Sequence, residues 1–83
     1  MPVIALVQGV RILVYYDDHP PPHVHAEFAE FLAQYEIGSG RLLNGRLPPA
    51  RHAAVVRWLA SRDAQVRSAW DDACEHRKPR RVE

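Results

Sequence analysis

Between positions 17 and 27 the chain runs Asp17-Asp18-His19-Pro20-Pro21-Pro22-His23-Val24-His25-Ala26-Glu27, gathering three of its five histidines and three of its ten acids around a proline triplet. Imidazole titrates near pH 6.5, so one ring can remove a proton while a second delivers one. A carboxylate from Asp17 or Asp18, with His19 alongside, would orient such a ring through its second nitrogen. With arginines elsewhere to hold phosphate, these parts suit cleavage of RNA through its own 2′-hydroxyl, which needs acid, base and charge stabilisation but neither metal nor cofactor. The same residues admit a metal reading. His23, His25 and a carboxylate from Asp17, Asp18, Glu27 or Glu30 form a two-histidine-plus-carboxylate set that suits zinc or iron. They also admit a plain reading, in which His23, His25 and Glu27 are the polar face of a half-buried strand and the acidic turn bonds only to its own backbone. The metal-free acid–base site, with His23 and His25 as the working pair, is the expectation carried forward.

An extended segment must hold these groups together. His23, His25 and Glu27 alternate with Val24, Ala26 and Phe28, the period-two pattern of a strand. The apolar members should face a core, with the two imidazoles about 6.5 to 7 Å apart on the opposite face. Each proline fixes φ and cannot extend a sheet, so the triplet is expected to be a stiff polyproline II spacer of roughly 9 Å. Upstream, Val3 to Val7 and Val10 to Tyr16 read as antiparallel strands joined at Gln8-Gly9, with Ile12, Val14 and Tyr16 on one face and Arg11, Leu13 and Tyr15 on the other.

Downstream, Phe31 to Ile37 is a further strand, Gly38-Ser39-Gly40 a turn, Arg41 to Leu43 the returning strand, and Asn44-Gly45 another turn. Pro48-Pro49 opens a helical regime, since proline at the first helical position lacks only a hydrogen bond that would be unmade anyway. Ala54, Val55, Trp58, Leu59, Val66, Ala69, Trp70 and Ala73 then trace one apolar stripe at spacings of three and four. Ser61 to Asp63 interrupts it, giving either one bent helix or two with Ser61 or Asp63 as a cap. His52 and His76 on this segment read as solvated surface, and Trp58 and Trp70 as core anchors. The expected fold is therefore α+β in a single domain. Residues 1–47 form a mostly antiparallel sheet of four to five strands, residues 49–77 one or two helices packed on one face, and residues 78–83 a mobile basic tail.

A chain of 83 residues has a marginal core, so association with a partner or a second copy is expected to contribute to its stability. One cysteine, Cys74, excludes an internal disulfide framework and points to a reducing cytoplasm. The apolar start lacks a basic flank and is too short to span a bilayer, so no membrane role is expected. Net charge is +1, yet residues 1–40 carry one arginine against five acids, while residues 41–83 carry nine arginines and Lys78 against five acids. Such asymmetry would steer an anion such as RNA to the second half and equally suits a self-complementary homo-oligomer. Arg57 and Arg67 are the first candidates for phosphate contact.

The opening Met1-Pro2-Val3-Ile4, the string Tyr16 to Ala26, the Gly45-x-Leu47-Pro48 junction and the pair Trp58 and Trp70 together resemble the bacterial family catalogued as domain of unknown function 4160, over nearly the whole chain. Valine stands at position 24, where that family commonly has phenylalanine. The resemblance implies a small cytoplasmic protein encoded beside a second one, usually of the family called domain of unknown function 2442, in an arrangement similar to a toxin–antitoxin operon. It implies a toxin-like role and a signature at Asp17, Asp18, His19, His23 and His25. The expected function is thus a toxin-like, metal-independent ribonuclease. A module that only docks its operon partner and a two-histidine metal-binding protein are the alternatives.

Overall fold

A computed structural model of the chain describes residues 2–16 and 18–82. Its first turn forms because Gln8 and Gly9 both take positive φ, 47° and 82°, the combination that a two-residue hairpin needs. The turn joins β1 (Val3–Val7) to β2 (Val10–Leu13), with Val7 opposite Val10. After the prolines, β3 (His23–Phe28) pairs with β2, then β4 (Phe31–Glu36) with β3, and β5 (Leu42–Gly45) with β4. Each strand lies beside the next in an antiparallel sheet of order β1-β2-β3-β4-β5. Two helices follow, α1 (Pro49–Ser61) and α2 (Asp63–Cys74). The fold is α+β, as the patterning predicts.

The core lies between one face of the sheet and the helical stripe. Ile12, Val24, Ala26 and Tyr35 from the strands, with Val14 just beyond β2, meet Val55, Leu59, Val66, Ala69, Trp70 and Ala73 from the helices. Trp58 packs on this core while remaining partly exposed. Burying each aliphatic side chain here contributes about 1.5–3 kcal/mol, which makes this face the main source of stability. Leu13 is fully buried too, but on the opposite face, opposite His25 in the pairing of β2 with β3.

Several boundaries differ from the expectations above. β2 stops at Leu13 rather than Tyr16, which frees Tyr15 to lie back over β3. Asn44-Gly45 ends β5 instead of forming the expected turn. Glycine is required there, since φ is 71° and a Cβ would stand 2.0 Å from the Leu32 carbonyl oxygen. The helical region is two helices, with Arg62 at the cap position of α2 and no side-chain cap. Ser61 instead donates its hydroxyl to the Trp58 carbonyl, 2.9 Å away. His52 is half-buried, and its Nδ1 lies 2.9 Å from the Tyr35 hydroxyl, so it ties α1 to β4 rather than standing in solvent. The basic tail docks: Pro79 and Val82 are buried, and the Val82 N–H donates to the Ile4 carbonyl at 2.6 Å, covering the outer edge of β1.

Candidate functional site

Strand alternation sends Val24 and Ala26 into the helix-covered core and turns His25 to the other face, above the Leu13 position. There Tyr15, released by the early end of β2, stacks on the His25 ring at 3.9 Å between centroids and 9° between planes. His23 sits at the mouth of the strand, where its ring meets Trp70 of α2 at 5.2 Å and is only 4% exposed. The two imidazoles converge on one side, as the alternation predicts, but they are not the open polar face of the plain reading: one is covered by a tyrosine, the other by a tryptophan.

The extended spacer expected of the prolines does not form: the chain bends at Pro20 and Pro21, and the acidic turn lies against the rings. Oδ2 of Asp18 lies 2.9 Å from Nε2 of His23 and 2.9 Å from Nε2 of His25. The two rings stand 5.0 Å apart at 62°. The other oxygen, Oδ1, accepts the His19 N–H at 3.0 Å. On its remaining side His23 places Nδ1 2.7 Å from the Pro21 carbonyl oxygen.

These contacts constrain the protons. Burial raises the Asp18 pKa, but the hydrogen bond from His25, the charge of His23, the His19 N–H and the charge of His25 outweigh it, holding the carboxyl below its ordinary value. Asp18 is thus an anion at neutral pH and can only accept. A carbonyl oxygen also only accepts, so the Pro21 contact is a hydrogen bond in the tautomer that carries its hydrogen on Nδ1. A neutral His23 would then point the lone pair of Nε2 at a carboxylate lone pair across 2.9 Å, which is repulsive. In that tautomer a metal ion held between the two atoms would turn the contact into ligation.

The same three atoms meet the geometric needs of a metal. Asp18, His23 and His25 each offer a ligand atom, and all lie within 4.8 Å of one another. An ion bonded at about 2.0–2.1 Å in tetrahedral geometry has donors about 3.3 Å apart, so shifts of well under 1 Å per side chain would accommodate it. The Nδ1–H···O=C bond of His23 is the outer-shell contact that fixes the tautomer of a metal-binding histidine.

Of the residues marked out in the sequence, Asp18, His23 and His25 come together, while Asp17 lies outside the described residues. His19 stands at the rim with its side chain 89% exposed and Nδ1 3.5 Å from Asp18 Oδ1. Glu27 turns to Arg11, 3.4 Å away, and Glu30 is exposed in the β3–β4 turn. Arg57 lines a separate depression with Val7, Gln8 and Trp58. Arg67 lies 3.9 Å from Asp63 and beside Gly38. Sequence reasoning missed Tyr15 and Trp70 as the two walls of the cluster. The placing of Tyr15 on the Leu13 face was the available signal for one of them. It also missed a groove of about 350 Å³ that leads away from His25 between Tyr15, Glu27, Gln34 and Asn44.

A protein-family model described as "Domain of unknown function (DUF4160)" matches residues 9–71, a span that contains the whole cluster and Trp70. No curated protein and no solved structure matches the chain. Among the described residues, no helix is long and apolar enough to cross a membrane.

Proposed function

The chain belongs to the DUF4160 family, and we propose that it is a metal-dependent hydrolytic protein whose centre is Asp18, His23 and His25. One observation carries this: three donor atoms converge within 4.8 Å while Nδ1 of His23 is committed to the Pro21 carbonyl. Two imidazoles and a carboxylate favour a borderline ion of the zinc class, and three protein ligands leave a position for water. Held by these three residues, an ion of this kind would supply a water nucleophile near neutral pH.

The acid–base alternative asks more of the geometry. His23 would need a free nitrogen directed at substrate, yet both of its nitrogens are engaged and its ring is buried. In the two-protein arrangement that membership suggests, the hydrolytic centre makes this chain the toxin-like member, and a small operon-encoded protein is its silencing partner. RNA is the substrate class to test first, because the second half of the chain offers ten cations against five acids. A bacterial cytoplasm is the compartment this role calls for.

Metal analysis of the protein after loading with zinc and desalting tests the centre. The expected result is about one ion per chain, with affinity lowered at least tenfold in Asp18→Asn and His25→Gln variants whose circular dichroism is unchanged. A folded wild-type protein that retains no zinc, iron or manganese overturns the reading. RNA cleavage that persists undiminished in excess chelator would move the assignment back to a metal-free acid–base pair.

A further inference from the structure

The sheet has a second face that no helix covers, and one row across it is unusual. Leu6 on β1 is opposite Arg11 on β2, Arg11 is opposite Glu27 on β3, and Glu27 is opposite Leu32 on β4. Leu6 and Leu32 are each 63% exposed. Between them Arg11 and Glu27 form an ion pair at 3.4 Å with the arginine 54% exposed. The row thus reads apolar, positive, negative, apolar over three strand spacings, roughly 14 Å.

We infer that this row is the contact surface of a homodimer, in which a second copy stacks face to face about a two-fold axis parallel to the strands and midway between β2 and β3. The sequence of the row selects that axis. Rotation about it sets Arg11 over Glu27 of the second copy, and Leu6 over Leu32, so every position meets its complement and the contact closes as an isologous pair. An axis running across the strands would instead set arginine on arginine and glutamate on glutamate. Four alternating charges then occupy the centre, flanked by two leucine pairs withdrawn from water.

The other surfaces suit self-association less well. The outer edge of β1 is covered by the tail through the bond from Val82 to Ile4. The edge strand β5 is four residues long and irregular, since Tyr35 is opposite Leu42 and Gln34 opposite Asn44, leaving Leu43 without a counterpart. Short bulged edges resist strand addition. The contact row lies one step along β3 from His25, on the side away from Asp18, so Asp18 and the exposed His19 remain outside it. The inference is independent of which ion, or whether any ion, the cluster holds.

Sedimentation velocity on the full chain from about 5 to about 500 µM tests it, because four side chains per copy fall short of a standard interface and imply weak association. Wild-type protein should pass from monomer to dimer over that range. Leu32→Asp and Leu6→Asp should each weaken the dimer roughly tenfold to a hundredfold. Arg11→Glu should abolish it, and the double variant Arg11→Glu/Glu27→Arg should restore it. Circular dichroism and a cooperative urea transition verify that each variant is folded. Wild-type protein that stays monomeric at the highest concentration overturns the inference, as does a dimer indifferent to both leucine variants or a double variant that fails to recover. If the wild type is monomeric but binds the neighbouring gene's protein through Leu6 and Leu32, the face belongs to a heterologous partner and the homodimer is excluded.

Discussion

The two faces of the sheet are built on different terms. On the helix-covered face, Ile12, Val24, Ala26 and Tyr35 are wholly withdrawn from water and packed against the helices, so removal of apolar surface sustains the order there. On the other face the same strands carry His25, Glu27, Arg11 and Gln34, and what is buried is buried by pairing: imidazole on carboxylate, guanidinium on carboxylate, phenol ring on imidazole. His23 belongs to both regimes, with its ring against Trp70 and its nitrogens on Asp18 and Pro21. An apolar face tolerates imprecise neighbours, whereas a polar cluster without its partners would carry unpaired charge at a cost of several kcal/mol. The candidate cluster therefore stands where the open face meets the covered one.

That contrast predicts graded effects. Trp70→Ala attacks the junction itself. It should cost about 3–5 kcal/mol in urea unfolding and, in whatever fraction stays folded, loosen His23 enough to reduce zinc retention. Loss of stability with zinc affinity intact would show that the two faces are independent.

Tyr35→Phe probes a polar contact within the covered face and should cost about 0.5–1.5 kcal/mol, the net value of its bond to His52. Burial pushes the Tyr35 phenol above its ordinary pKa of 10.0. The unfolded chain therefore releases that proton first, and stability should decline as pH rises above about 10, over the interval up to the raised folded value. The decline should be shallower in the phenylalanine variant. Identical alkaline slopes in the two proteins would contradict the role given to burial.

The smallest effect belongs to the open face. Leu6→Ser in dilute, monomeric protein should change unfolding stability by no more than about 0.5 kcal/mol, because its side chain is already mostly in water. A large loss would mean that this leucine supports the monomer and not an association.

Much of the fold is legible in residue order, because alternation at period two and stripes at three and four each bury a specific set of side chains. The His23–Phe28 strand and the break near Arg62 are readable that way, the Gln8-Gly9 turn from its residue types, and the family from the string Tyr16 to Ala26. The candidate site is legible only in its ingredients. The proline run reads as a rigid connector that brings the acidic turn alongside the rings, and Asp18 does reach both; what residue order does not reveal is that one oxygen serves the two imidazoles through a bent path. The burial of His23 depends on Trp70, a residue far along the chain whose stripe position announced a core anchor but not what it would touch. Tyr15 was placed on the right face, yet its stacking follows from β2 ending early, a tertiary outcome with no local signature. The docking of Val82 was hidden for the same reason: basic composition described the tail, and one valine fastened it.

The oxygen that faces Nδ1 of His23 belongs to the main chain at Pro21. Every amino acid carries that atom, so no exchange of side chain at position 21 can delete it. Only a substitution that redirects the local path can take it away. Variation along the loop is therefore filtered by backbone shape, while at Asp18, His23 and His25 it is filtered by chemical identity, and the ring's orientation persists through any drift that leaves the curve of the chain unchanged.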